Sequence, residues 1–400
     1  MSIDGGVGGV GGVGGVGGVG GVGGVGGVGG VGGVGGVGGV GGGDGGRAGS
    51  YSGGLAGAMI IARDGIVGSY DPPAQPAPPF DPNNAENMKE WAPWVRGLIL
   101  EEVVLSQIGY GADGGHAGLF HLDVTGGTAT QAPQCAYHPL ADVKRPEADD
   151  FLKQTKLVYN YADLRGDRAA EILNQVGFPT VFFATIASLH PARNKYSLEF
   201  VGLAQIVAAK TAMQIKQVLA CKRPDRFSAQ IQPMIPTPGH GALPSAHAVE
   251  AFIVAKVLIN LLAEAEVNNL PLLNEMLLKQ ASRIAINRHV AGVHFPADTY
   301  AGAVMGLTLG DYLCQRAGAK TKKNGPAVKT TGASFDGVGI GNTDFALSYF
   351  YDKGKIETYK TPDGAEIVKA NKAVPDIQKS PLLNWLWSRA VGEWKDAEPA

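Results

Sequence analysis

The stretch NRHVAGVHFPAD, residues 287–298, decides the fold of this sequence, because it has the character of a short junction between two long helices. Apolar residues at helical spacing flank it, and Pro296 is a residue type favoured at the first position of a helix. His294 and Asp298 stand four residues apart in this junction. At that spacing Asp298 can accept one imidazole N–H and leave Nε2 of His294 with a free lone pair. The alternative is a capping contact without chemistry.

Helical patterns extend from this junction over most of the chain. Long helices are predicted at Ser197–Lys222, Ala246–Ala265, Leu273–Val290 and Pro296–Arg316, and shorter ones at Asn87–Gln107, Asp149–Tyr161, Arg168–Val176 and Thr180–His190. Gly109–Gln134 is rich in glycine and is predicted to be a loop. Because helices follow one another without alternating strands, the predicted fold class is all-α, a helical bundle.

Composition divides the chain into four segments. Residues 1–50 contain twelve Gly-Gly-Val repeats from Gly5 to Val40, and we expect them to be a disordered extension. Residues 51–84 end in the proline-rich run YDPPAQPAPPFDPNN and are interpreted as a linker. Residues 85–318 form the predicted all-α domain. Residues 319–400 are predicted to be a small C-terminal appendage with a hairpin and a last helix.

Charge and cysteine content exclude several classes of protein. The formal net charge of -2 offers no basic surface, so we expect no nucleic-acid partner. Three widely spaced cysteines, Cys135, Cys221 and Cys314, form neither a disulfide framework nor a zinc motif. We find no uncharged apolar run of about 18 residues and no signal peptide. The expectation is therefore a soluble protein without a membrane span, cytoplasmic by default, with homo-oligomerisation left open.

Two cationic side chains share a face near the end of a predicted helix. In KQVLACKRP, residues 216–224, Lys216 and Arg223 are seven residues apart. Seven residues are nearly two helical turns, so the two side chains lie within about 20° of each other around the axis. They repel each other mildly unless an anion lies between them. The alternative is a solvated cationic face.

A second stretch, PSAH at residues 244–247, opens another predicted helix. Ser245 is a suitable N-cap, and the N–H groups of Ala246 and His247 at the positive end of the helix dipole can bind an oxyanion. His247 could act there on a proton of the anion. Arg288, in the first stretch quoted, could offer a two-pronged guanidinium to the same anion. Alone, the PSAH stretch is better interpreted as a capped helix start with a nearby histidine.

Together, the three stretches resemble the signature of the type 2 phosphatidic acid phosphatase and vanadium haloperoxidase superfamily. That signature is Lys-x6-Arg-Pro, then Pro-Ser-Gly-His, then Ser-Arg-x5-His-x3-Asp, and nine of its eleven positions are identical here. Ala246 replaces a glycine and Asn287 replaces a serine. The resemblance covers about residues 197–316 and implies the helical bundle of vanadium haloperoxidases and acid phosphatases.

The resemblance also implies a role for each matching residue. The residues expected to bind the vanadate or phosphate oxyanion are Lys216, Arg223, Ser245, Ala246 and Arg288. His294 would form the one bond to vanadium or phosphorus, Asp298 would orient His294, and His247 would be the acid and base.

Between the two activities of this superfamily, we predict a vanadate-dependent haloperoxidase that uses bromide. Its cofactor would be vanadate, and its partners hydrogen peroxide, a halide and a small organic acceptor, with Lys216 polarising the bound peroxide. The chain resembles bacterial haloperoxidase-like proteins, and His240, five residues before Ser245, matches a histidine of bromide-using enzymes. For His240 the alternative is a loop histidine with no partner.

Two other functions remain open from the sequence. One is a phosphatase of the same superfamily, which hydrolyses phosphomonoesters through a phosphohistidine and needs no vanadate. The other is a non-enzymatic, glycine-rich structural or surface protein.

Overall fold

The structure, a computed structural model, describes residues 53–375 and 377–394. The predicted Gly-Gly-Val extension of residues 1–50 lies outside the described residues. The chain divides into two units, Met1–Leu100 and Glu101–Ala400, with the division inside one helix.

Ten α-helices are found in the described residues. They are α1 (Gly53–Ile66), α2 (Pro93–Leu105), α3 (Ala148–Tyr161), α4 (Arg165–Asn174), α5 (Thr180–Ala187), α6 (Lys195–Leu219), α7 (Ala246–Glu264), α8 (Leu270–Val290), α9 (Pro296–Arg316) and α10 (Pro381–Gly392). Each of the eight helices predicted between residues 87 and 316 corresponds to one of α2 to α9.

The first unit contains a helix that the sequence analysis placed in a linker. Helix α1 carries apolar side chains that are largely exposed, among them Ile61 and Ile66. Further along, Asn84 caps a 3₁₀ turn at Ala85–Glu90, because its side chain accepts the N–H of Glu86 at 2.9 Å.

Eight strands make the all-α prediction wrong. They are β1 (Ile108–Asp113), β2 (His116–Thr125), β3 (Gln134–Lys144), β4 (Thr331–Asp336), β5 (Tyr351–Asp352), β6 (Lys355–Ile356), β7 (Tyr359–Lys360) and β8 (Glu366–Ala373). Six of them form one sheet in the order β1-β2-β3-β4-β8-β7, and β5 pairs with β6. Only the β3–β4 pair is parallel among these described strands.

The stretch Gly109–Gln134, predicted to be a loop, contributes two strands of this sheet. Its glycines lie partly in a tight hairpin, where Gly114 and Gly115 have φ angles of 52° and 89°. A two-residue hairpin turn of type I′ needs positive φ at both positions, which glycine adopts without strain. Along β2, buried and partly exposed side chains alternate, and Leu119 is in the core. The glycine content masked this two-residue periodicity.

The parallel pair joins distant parts of the chain. Strand β3 precedes the long helices and β4 follows them, with Ala141 opposite Ala333. The last helix, α10, also returns to the helical core: Trp387 is buried and donates its indole N–H to Glu264 at 2.8 Å. Just after α10, the Glu393 carboxylate accepts the N–H groups of Tyr196 and Ser197 in the first turn of α6, at 2.8 and 2.9 Å.

Helices α7 and α9 pack against each other at unusually short range. A Cβ atom built on Gly302 would lie 2.6 Å from the Cβ of Ala248, and one built on Gly306 would lie 2.6 Å from the carbonyl oxygen of Val249. Only glycine allows this approach. Consequently the first turns of α7 and α9 are close neighbours, and the site described below lies there.

Helix α7 also corrects the expectation that no segment could span a membrane. Its 19 residues have the length and apolar composition of such a span, even though it carries Glu250 and Lys256. In the structure 83% of its apolar window is buried inside the protein. The core helix of a folded domain has the same length and composition.

Candidate active site

The predicted site residues come together from four helix ends. Lys216 is in the last turn of α6 and Arg223 follows that helix, whereas Ser245 is the N-cap of α7. Arg288 is in the last turn of α8, and Asp298 is in the first turn of α9. All five are buried. Residues far apart in sequence therefore form one cluster, as the motifs predict.

His294 lies between an acid and a cation. Its Nδ1 is 2.8 Å from Oδ2 of Asp298, which also accepts the N–H of Phe295 at 3.0 Å. Its Nε2 is 3.0 Å from Nη1 of Arg223. Since the guanidinium can only donate, Nε2 holds the lone pair and Nδ1 carries the proton. Burial lowers the pKa of His294 well below its usual value, so the imidazole is neutral.

Further contacts of Arg223 and Lys216 are with backbone carbonyls, in the loop before α7 and, for Arg223, also in the junction between α8 and α9. Arg223 donates to the carbonyls of His240 and Gly241, each at 3.2 Å, and to Val293 at 2.7 Å. Lys216 donates from Nζ to Gly241 at 2.9 Å and to Ala242 at 2.8 Å. Burial, and then the charge of Arg223, lower the pKa of Lys216. An anion bound between these two cations would replace the neutral carbonyl acceptors with negatively charged oxygens.

His240 lies at the rim of the cluster. Its Nδ1 is 3.2 Å from Nη2 of Arg223, and its side chain is exposed. The alternative of a loop histidine without a partner is therefore not what the structure shows.

The start of α7 is tied to the start of α9. The backbone N–H of Ser245 donates to the carbonyl of Asp298 at 2.8 Å, and Oγ of Ser245 accepts the N–H of Ala248 at 3.4 Å. The first N–H groups of any helix have no acceptor within that helix. The amides of Ala246 and His247 occupy that position here, as the motif predicts.

His247 has a defined tautomer. Its Nε2 lies 2.7 Å from the backbone carbonyl of Gln175. Because a carbonyl only accepts, Nε2 carries the proton and Nδ1 is the nitrogen that can take up or release one. Burial, and then the charge of Arg288, lower the pKa of His247 to about 3. In the anion-free site His247 is therefore a neutral base.

Arg288 carries buried hydrogen-bond donors that an anion could satisfy. Its Nη2 donates to the side-chain oxygen of Gln175 at 3.3 Å and to the carbonyl of Ile172 at 3.4 Å. Its Nε and Nη1 are buried and have no hydrogen-bond acceptor within residues 53–375 and 377–394. Buried donors are almost always satisfied in native proteins. An oxyanion would accept both and neutralise a buried charge.

The sequence analysis missed two residues of this cluster. Gln175 follows α4 and belongs to no motif. Glu250 lies three residues after His247 on α7 and is 6% exposed. Burial raises the pKa of Glu250 to about 8, against the opposing charges of Lys216 and Arg288. A lone carboxyl within an otherwise apolar helix turn, one turn from the motif histidine, was the available signal.

Comparisons with known proteins agree with this geometry at the level of the domain. Residues 197–320 match the family model of the PAP2 superfamily, so the chain contains a PAP2 superfamily domain. Among solved structures, the crystal structure of the first transmembrane PAP2 type phosphatidylglycerolphosphate phosphatase from Bacillus subtilis is similar at 17% identity. That similarity covers 39% of this chain and 90% of the other, with a TM-score of 0.24. No curated protein matches the chain.

These findings change two expectations. The family match supports the superfamily and does not single out its haloperoxidase branch. The default assignment to the cytoplasm is also corrected: it depended on the absence of any membrane-length segment, whereas α7 is one by length and composition.

Proposed function

We propose that this chain is a PAP2-type phosphohydrolase that cleaves phosphomonoesters through a phosphohistidine at His294, without a cofactor. The observation that carries this proposal is the pairing of His294 Nδ1 with Asp298 at 2.8 Å, which leaves the lone pair on Nε2, where Arg223 donates to it in the anion-free site. The PAP2 superfamily domain at residues 197–320 supports the same assignment.

Binding of the phosphate group uses the donors that the cluster leaves available. Arg288 offers Nε and Nη1, which have no acceptor in the described part of the chain. Lys216 and Arg223 exchange backbone carbonyls for phosphate oxygens, and the Ala246 amide adds a donor at the start of α7. Arg223 then moves away from Nε2 of His294 and frees the lone pair.

In the first chemical step, Nε2 of His294 forms a bond to phosphorus while the bond to the leaving oxygen breaks. The electron pair of that bond goes to the leaving oxygen, and Nδ1 of His247 delivers the proton that neutralises it. Asp298 stabilises the positive charge that develops on the His294 ring. In the second step water attacks phosphorus, its proton passes to His247, and the P–N bond breaks.

For this role His247 must carry a second proton once the substrate is bound. Burial, Arg288 and Lys216 oppose that proton in the anion-free site, where the pKa is about 3. A bound phosphate brings negative charge beside the same cations and offsets their effect, so the pKa of His247 rises. The proton is therefore acquired together with the substrate.

The test is hydrolysis of para-nitrophenyl phosphate by the full chain, without vanadate, followed by acid-quench detection of a phosphohistidine. The expected result is vanadate-inhibited turnover that His294→Asn abolishes. Turnover that survives in His294→Asn would contradict the assignment of the nucleophile. The matched control is His190→Asn, because His190 lies in the loop after α5.

A second candidate is the vanadate-dependent haloperoxidase of the sequence analysis, favoured by the position of His240 3.2 Å from Arg223. The unpaired donors of Arg288 and the Nε2 lone pair of His294 fit vanadate as well as phosphate. Bound vanadate would supply activation of hydrogen peroxide for oxidation of a halide. Vanadate-dependent bromination of monochlorodimedone, with no phosphate ester hydrolysis, would favour this candidate over the phosphohydrolase.

A further inference from the structure

Gln175 contacts two residues of the site through two different groups. It is the first residue after α4 and is fully buried, although its neighbour Val176 is exposed. Its backbone carbonyl accepts Nε2–H of His247 at 2.7 Å. Its side-chain oxygen accepts Nη2 of Arg288 at 3.3 Å and the side-chain amide of Asn287 at 2.9 Å. One residue thus touches both the acid–base imidazole and the anion-binding guanidinium.

An outer layer of contacts fixes the orientation of the Gln175 amide. Its nitrogen donates to Oε1 of Glu171 at 3.1 Å. Glu171 in turn accepts Nε of Arg283 with both carboxylate oxygens at 2.9 Å. Because a carboxylate only accepts, the amide nitrogen must point to Glu171 and the oxygen must point to Arg288. A flipped amide would place two N–H groups against those of Asn287 and Arg288.

We propose that Gln175 is a positioning residue of the anion site, which directs the unpaired Nε and Nη1 of Arg288 towards the bound anion and fixes the tautomer of His247. This inference rests on the anion site of the proposed function. It adds a residue outside the three motifs, just after a helix that precedes the PAP2 match.

A substitution of the Gln175 side chain can remove its contact with Arg288 and leave the backbone contact with His247 in place. Gln175→Met keeps a side chain of similar length and the backbone carbonyl that holds His247, and it removes the oxygen that holds Arg288. A hydrogen bond to a charged group contributes about 1.5–3 kcal/mol, so anion affinity should fall by roughly 10- to 100-fold. The pH profile of kcat, which depends on His247, should stay unchanged.

The experiment is calorimetric titration of the full chain with inorganic phosphate and with vanadate, which requires no turnover. We expect Gln175→Met to weaken both and to raise KM far more than it lowers kcat. In an Arg288→Ala background the same substitution should cause little further loss, because Gln175 acts through Arg288. The control is Gln205→Met: Gln205 is also buried, and it accepts Oγ1 of Thr180 at 3.0 Å.

A second variant keeps the test decisive if Gln175→Met does not fold. Gln175→Glu retains the size of the side chain and its acceptor oxygens. Its added carboxylate charge faces Glu171 and pairs with Arg288. The carboxylate therefore competes with the anion for Arg288 and should weaken phosphate binding. Equal binding by wild type and either folded Gln175 variant overturns the inference and leaves the proposed function intact. A wild type that binds neither anion overturns both.

Discussion

Nδ1 of His294 and Oδ2 of Asp298 lie 2.8 Å apart, both side chains buried, at the point where α8 gives way to α9. This contact fixes which nitrogen of His294 is free. The spacing of the two residues predicted this contact and left a capping contact as the alternative; Oδ2 of Asp298 makes both, because it also accepts the N–H of Phe295.

Asp298→Asn tests the value of that contact. An amide in place of the carboxylate can hold His294 in the wrong tautomer and cannot stabilise the charge that develops on the ring. We expect kcat to fall by roughly 10³- to 10⁴-fold, as for other imidazoles that lose a supporting carboxylate, with a much smaller change in phosphate affinity. Steady-state kinetics and calorimetry measure the two effects separately. A kcat within threefold of the wild type would show that Asp298 does not orient the nucleophile.

His247→Ala should impair turnover more than anion binding. The imidazole donates its Nε2 proton to Gln175 and leaves Nδ1 for the leaving oxygen, so its loss removes general acid catalysis of about 10²- to 10⁴-fold. An activated ester with a nitrophenolate leaving group needs less protonation and should be less affected than an alkyl phosphate. Equal loss on the two substrates would argue against His247 as the acid.

Glu250 should make stability depend on pH. Its pKa is about 8 in the folded protein, above the usual value for glutamate, so the folded state binds more protons than the unfolded state between those two values. Its neutral form favours folding, so stability should decline as pH rises from about 4.5 to 8 and level off above 8. Glu250→Gln should remove that decline, a difference on the order of a few kcal/mol.

Urea unfolding at pH 5, 7 and 9 measures this effect. The matched control is Glu275→Gln, because Glu275 is exposed on α8 and pairs only with Lys279 in the described salt bridges. A wild type and a Glu250→Gln variant whose stabilities differ by the same amount at all three pH values would contradict the burial of an ionisable Glu250.

Gly306→Ala should destabilise the contact between α7 and α9. The added methyl would lie 2.6 Å from the carbonyl oxygen of Val249, and a backbone atom cannot move aside cheaply. We expect a loss of about 1–3 kcal/mol in the free energy of unfolding. Gly202→Ala in α6 is the control, since a Cβ there meets nothing within 4 Å and should raise stability by up to about 1 kcal/mol. Thermal unfolding that moves both variants in the same direction would contradict the close packing.

Local sequence patterns were sufficient to predict the helices and to identify the motif residues. Lys216, His247 and His294 lie at or beside helix ends, and short-range signals such as capping residues and proline define such ends. The convergence of these ends followed from the combination of three motifs, none of which was decisive alone.

Long-range pairing explains what the sequence did not reveal. Strand β4 is a short segment, TGASFD, whose place in the sheet depends on β3, nearly two hundred residues earlier. Gln175 reaches Asn287 across 112 residues because α4 packs beside α8. Contacts between residues so far apart in sequence leave no local periodicity or spacing. They therefore cannot be predicted from the pattern of a single sequence.

The pairing of β3 with β4, together with the Glu393 carboxylate at the start of α6, has a practical consequence for anyone who wishes to produce a smaller version of this protein. A fragment trimmed to residues 197–320 would keep every motif residue. It would lose Lys195 and Tyr196 from the start of its first helix, the Glu393 carboxylate that accepts the N–H of Ser197, and the indole that donates to Glu264. Extending it back through β3 without β4 would leave an open sheet edge, which invites aggregation. The segment that the family model matches is therefore shorter than the segment that we expect to fold on its own.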